Sequence, residues 1–397
     1  MRAGLSVKNT PSLSSPRFHG LDTLRAAAIL LVMLYHLSIR GWLPSVLDPL
    51  AAVGWIGVDL FFVLSGFLIG SQLLKPYLAG TRPSLREFYR RRAYRILPAY
   101  LVVLALYYVA PIWREAKGPY AAWQYLTFTW NIFLRGYPDQ RAFSHVWSLC
   151  VEEHFYLLLP LLLLLMMRKP SIGKTVALLA GIVLGGIVLR GELLSRVVLA
   201  ATGDDSGTLF MKYIYYPTYT RLDGLTVGVG LALMRSFRPG WWAKFTAHGN
   251  VCLVCGLALV VAALRLCAYG FPDPALPGSV LFSFPLLALG FGLLVASAVC
   301  ERSILRLRIP GAAGLAALAY SLYLTHKSVA NALHRLLPVL TAKPDWRATA
   351  IYAAGCLMVA ALLYFGVERP FLRLRDWQSA SQPAIAIDQE VNLDPAL

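Results

Sequence analysis

Ten apolar stretches recur along this chain, at 21–39, 53–74, 96–112, 152–167, 175–190, 216–234, 250–268, 279–299, 311–333 and 348–367. Each is close to the roughly 20 residues a helix needs to cross the hydrocarbon of a bilayer. In lipid every backbone N–H and C=O has to be satisfied within the protein, so this pattern admits one solution, a bundle of spanning helices. The composition agrees: 58% of residues are hydrophobic, 14% are charged and the mean hydropathy is +0.60, a balance that no soluble core requires. The expected fold is all-α, a polytopic membrane bundle of about ten helices.

Lysine and arginine check that count independently. With the N-terminus in the cytoplasm, the segments placed inside carry 22 basic residues and those outside carry 11, the bias that orients membrane proteins. Both termini are then cytoplasmic. Residues 1–20 read as an N-terminal tail, 21–371 as the membrane domain, and 372–397 as a disordered tail rich in Ser, Gln, Asp and Pro. The first apolar run lacks a small-residue exit site and reads as a retained span. The formal charge of +17 reflects topology and an anionic ligand; no DNA- or RNA-binding module is visible, so no nucleic-acid partner is expected. The six cysteines lie in or beside spans without framework spacing, and the Cys252-x-x-Cys255 pair falls on a predicted helix. Neither a disulfide nor a metal site is assigned.

Ionisable groups at membrane depth are costly and mark pathways or reaction centres. Arg25 and His36 are eleven residues apart in the first span, which returns a helix to nearly the same face and separates the two groups by about 16 Å along the axis. Arg92 and Arg95, at i and i+3 where the third span begins, set two guanidinium forks on one face. Such forks suit bidentate phosphate binding, as in a nucleotide-like or coenzyme A donor reached from the cytoplasm, although a lipid-anchoring basic stretch has the same composition. Glu152 and Glu153 open the fourth span, where either could serve the helix dipole or meet His36 and raise its basicity. Arg221 with Asp223, and Tyr320 to His326, bring further polar groups into later spans, either as interhelical hydrogen bonds or as the wall of a polar tunnel.

These residues carry a resemblance. Leu21-Asp22-Thr23-Leu24-Arg25 followed by His36, the run Gly57 to Ile69, Arg92-Ala93-Tyr94-Arg95-Ile96-Leu97-Pro98, Trp147 to Tyr156, Arg221-Leu222-Asp223-Gly224, Tyr320 to His326 and Val367-Glu368-Arg369-Pro370 occur in order across residues 20 to 371. Together they resemble membrane acyltransferase family 3, whose members O-acylate cell-envelope carbohydrates and some secondary metabolites. Two stretches depart from the family pattern: Cys150 and His154 stand where serine and glutamine are usual, and Thr325-His326-Lys327-Ser328 replaces a more aromatic stretch.

The resemblance implies that His36 is catalytic, in a multi-pass protein of the inner (plasma) membrane that acts without an extracellular esterase-like domain. The expected reaction carries an acyl group, most simply acetyl, from cytoplasmic acetyl-CoA to a hydroxyl of a polysaccharide or other glycan outside. Arg25, Arg92 and Arg95 are the candidate donor-binding residues, and Arg221, Asp223, Tyr323 and His326 the candidate acceptor-binding residues. Glu152 or Glu153 is expected to brace His36, which would take the acceptor's proton as general base. Direct attack and a covalent acyl-histidine are both compatible with these residues. The aromatic set Trp113, Tyr120, Trp123, Tyr125, Trp130, Tyr137 and Trp147 fits an interfacial belt or a sugar-stacking platform. A transporter or flippase would share the spans and the buried charges, without need of an arginine pair beside a histidine. Other histidine-based membrane O-acyltransferases resemble the chain less, because their histidine lies in a late span.

Overall fold

The computed structural model describes residues 18–134, 137–201 and 205–380. Ten long helices follow the ten apolar stretches: α1 (His19–Ser38), α2 (Ile56–Leu78), α3 (Leu85–Val109), α4 (Trp147–Met166), α5 (Ile172–Leu193), α6 (Asp223–Phe237), α7 (Gly249–Leu266), α8 (Pro277–Val299), α9 (Ala312–Leu336) and α10 (Trp346–Leu363). Among the described residues there is no strand. Eight of the helices are long and apolar enough to cross a membrane. The other two are α6, which has only 15 residues, and α9, which carries Ser321, Thr325, His326, Lys327, Ser328 and Asn331 along its length.

Boundaries shift where local chemistry overrides hydropathy. α3 begins at Leu85 rather than near 96, because the Ser84 hydroxyl accepts the Glu87 N–H at 3.3 Å and caps the first turn. α6 begins only at Asp223; Pro217 precedes a short 3₁₀ turn, Thr218–Thr220, where the span was expected to start. α10 runs through a π-helical turn, Tyr364–Glu368, into α11 (Arg369–Ala380). Residues 372–380 of the expected tail are therefore helical; 1–17 and 381–397 lie outside the described residues.

The centre of the bundle is α2 and α8, whose spanning windows are 72% buried, whereas α5 buries only 6% of its window and presents apolar surface outward. α2 packs closely on α6, and α9 packs between α1 and α10. Two glycines make the first contact possible: a Cβ on Gly66 would lie 2.2 Å from the Leu225 carbonyl oxygen, and one on Gly228 would lie 2.3 Å from that of Val63. This is the small-residue packing that membrane helices use in place of a hydrophobic driving force.

Two buried ion pairs fasten the start of α6, one to α2 and one to α5. Arg221 donates to Asp59 at 2.7 Å, and Arg190 grips Asp223 with bonds of 2.8 and 3.1 Å. The start of α3, with Arg92 and Arg95, adjoins α11 through the bond from the Tyr94 hydroxyl to Gln378 (3.0 Å). This is called the basic end below. His36, in the last turn of α1, lies toward the far end.

Candidate active site

The protonation of His36 follows from its neighbours. His326 Nδ1 lies 3.0 Å from the carbonyl oxygens of both Leu322 and Tyr323. Carbonyls only accept, so that nitrogen carries the proton and the neutral ring keeps a lone pair on Nε2. His36 Nδ1 faces this lone pair at 3.0 Å and the Val32 carbonyl at 2.9 Å. Its Nδ1 therefore holds the proton and its Nε2 is bare, the state a general base needs.

His36 lines a cavity of about 820 Å³ that reaches the far-end loops. Tyr35, Trp55, Tyr137, Trp147, Tyr215 and Tyr216 form much of its wall. Of the other aromatics singled out between 113 and 147, Tyr125 and Trp130 are fully buried packing residues and Trp123 is exposed. Beside His36 sits a knot around Glu115. One carboxylate oxygen accepts the Phe143 N–H at 3.1 Å and pairs with Lys327 at 3.1 Å; the other accepts the Tyr107 hydroxyl at 2.9 Å. Lys327 also donates to Ser144 at 3.0 Å, and His145 approaches Glu115 at 4.0 Å.

A second cavity, about 300 Å³, rises from the basic end between Arg25, Arg92, Arg95, Gln72 and Tyr320. The Arg92 guanidinium lies 4.0 Å above the Tyr156 ring, and Arg95 is 3.9 Å from Glu368, which the π-helical turn carries inward to accept the Ser321 hydroxyl at 2.9 Å. The two cavities have Val58 and Tyr323 in common. Tyr323 is tethered: its hydroxyl donates to the His145 carbonyl, which leaves the Ser148 hydroxyl to donate to the Tyr323 oxygen. A pathway from the arginines thus ends, one side chain away, at the chamber that holds His36.

The model of a family described as an acyltransferase domain matches residues 18–365. The chain belongs to this acyltransferase family. O-acetyltransferase OatA of Staphylococcus aureus strain NCTC 8325 / PS 47 is 34% identical over 242 residues, 57% of this chain and 36% of that protein. OatA of strain MRSA252 matches to the same extent. The chain spans about a third of the length of these relatives. No solved structure matches it.

Within this acyltransferase fold several expected placements change. Glu152 and Glu153 do not brace His36. Glu152, in the second turn of α4, lines the smaller cavity with Ser65, Tyr156 and Arg92 rather than the chamber that holds His36; Glu153 also faces Arg92. The brace is His326. Arg221 and Asp223 line neither cavity. Arg221 is spent on Asp59 and the Tyr215 carbonyl (3.2 Å) and lies over the rings of Trp147, Tyr215 and Phe284; Asp223 is spent on Arg190. They hold the wall from behind, because an unpaired charge at this depth would be prohibitive. Tyr323 does line the site, at the junction.

The acyltransferase pattern's departures also find partners. His154 bonds the Thr218 hydroxyl at 2.7 Å, Cys150 is fully buried, and Lys327 makes the Glu115 pair. Glu115, His145 and Lys327 were not expected at the site. Lys327 had a signal, a basic residue inside a span; Glu115 sits in an irregular loop, and only folding brings it there.

Proposed function

We propose that this chain moves an acyl group, most simply acetyl, from cytoplasmic acyl-CoA to a hydroxyl of a glycan on the opposite face of the inner membrane. The observation that carries this reading is the pair of cavities approaching each other from opposite ends and sharing Val58 and Tyr323, with His36 in the larger. A volume near 300 Å³ is at the low end for a ligand pocket, so it suits the slender pantetheine arm, with the nucleotide left at the mouth. Arg25, Arg92 and Arg95 supply the charge that anionic phosphates need. The positive-inside bias assigns that mouth to the cytoplasm.

His36 Nε2 takes the proton of the acceptor hydroxyl as its oxygen attacks the thioester carbonyl. The C–S bond then breaks, and the proton passes from His36 to the departing thiolate. During this cycle His36 keeps its Nδ1–H on His326, which holds the ring still. Aromatic walls around a polar floor suit a sugar ring, and the acceptor stays outside while only the acyl group crosses.

The decisive measurement uses the full chain in proteoliposomes with acetyl-labelled CoA on the arginine side and a glycan acceptor on the other. Label should appear on the acceptor with release of free CoA, and His36→Ala should abolish both while the protein still inserts. Glycan movement without CoA release would instead establish a transporter.

A further inference from the structure

The larger cavity has a charge balance that neither topology nor the acyl transfer step explains. Its lining includes the cations Arg40, Lys117, Arg141 and Lys327 against the carboxylates Glu115 and Asp139. The Glu115 oxygens already serve Phe143, Lys327 and Tyr107, and its pairing with Lys327 offsets both charges locally. Among the described lining residues, three cations then face one further carboxylate, Asp139. Arg40 and Arg141 also stand near enough to Lys327 to repel it, a cost that an incoming anion relieves. Arg40 is held in place, donating one N–H to the Glu115 carbonyl at 2.7 Å with its guanidinium 5.8 Å from the Trp42 ring, and among the described residues its other donors make no hydrogen bond. Low-dielectric walls strengthen such a field.

The placement is also contrary to bias. Basic residues are depleted from outer segments because they oppose translocation, yet these line one chamber on the side opposite the basic end. Topology gives no reason for them to be there. A cationic rim on an aromatic wall matches a sugar that carries its own negative charge.

Resting on the reading of this cavity as the acceptor site, we propose that it selects an acidic sugar, a glycan acceptor bearing a carboxylate or phosphate that Arg40, Lys117 and Arg141 engage while the aromatic wall stacks on its rings. The charge fixes the register of the glycan and so determines which hydroxyl meets His36.

Equilibrium binding to the His36→Ala protein in nanodiscs tests this without turnover. The probes are trigalacturonate, its carboxyl-reduced neutral counterpart and galactose 1-phosphate beside free galactose. One charge-assisted contact is worth about 1.5–3 kcal/mol, so at least one acidic probe should bind about tenfold or more tightly than its neutral partner. That preference should weaken with salt and fall below about threefold in Lys117→Gln/Arg141→Gln, with Arg40→Gln as a second, single-site reduction. Which acidic probe is preferred separates carboxylate from phosphate. Equal binding of acidic and neutral probes, no binding of either acidic probe, or a preference untouched by the substitutions would overturn the proposal. Acyl transfer is measured separately on wild-type protein: transfer without charge preference sinks only the acidic-sugar assignment, and charge preference without transfer sinks only the acyltransfer reading.

Discussion

His326 Nε2 and His36 Nδ1 meet at 3.0 Å, so a side chain of the ninth helix decides which nitrogen of the first helix's histidine is basic. The proton on His326 is fixed by two carbonyls of its own helix. The ordering runs from backbone to His326 to His36. Among the described residues neither histidine hydrogen-bonds a carboxylate, so the pair takes its direction from the backbone.

If that ordering matters, His326→Ala should lower kcat by about 10²-fold, the low end of what a well-oriented general base contributes, and leave KM for acyl-CoA near the wild-type value. His326→Gln presents an amide oxygen to the same Nδ1–H and should recover part of the loss. Equal losses in the two variants would show that His326 acts by packing alone.

Tyr323 stands between the two cavities, tethered to His145 and Ser148. Tyr323→Ala should open a water path between them, so that thioester hydrolysis competes with transfer. Free CoA released per acceptor acylated should rise above the ratio of one that coupled transfer requires of wild type. An unchanged ratio would remove Tyr323 from the boundary.

Arg92 and Arg95 are proposed to hold the acyl donor. Arg92→Gln and Arg95→Gln should each raise KM for acyl-CoA about tenfold, since a charge-assisted contact is worth roughly 1.5–3 kcal/mol, with little change in KM for the acceptor. Steady-state kinetics with each substrate varied in turn measures both. A rise confined to the acceptor would place the phosphates elsewhere.

Arg221, in the turn before α6, and Asp59 of α2 pair at 2.7 Å with almost no exposure. Breaking a buried pair from one side costs about 3–5 kcal/mol, so Asp59→Asn or Arg221→Met should shorten the thermal half-life in detergent. The double variant Asp59→Leu/Arg221→Met removes both charges and should regain much of that stability. A double variant worse than either single one would point to a functional charge.

Hydropathy located the ten helices because the requirement behind it is local: a backbone in lipid needs a long apolar segment whatever surrounds it. Arg25, His36, Arg92 and Arg95 were legible for a related reason, since charge at membrane depth is rare enough to stand out. Glu152 and Glu153 were visible as residues, but not as partners of Arg92 rather than His36, because the rotation of α4 about its axis depends on what packs beside it. The choice of Asp59 for Arg221 and Arg190 for Asp223 likewise needed the helices assembled.

The order of spans and the depth of the ionisable groups follow from residue spacing along one dimension, and the likeness to an acyltransferase family from motifs read along the same dimension. Partnership follows from three. Glu115, in a loop, and Lys327, in the ninth helix, become an ion pair beside His36 only when far-apart segments share one volume, and the lone pair facing His36 is set by backbone carbonyls that no residue code records.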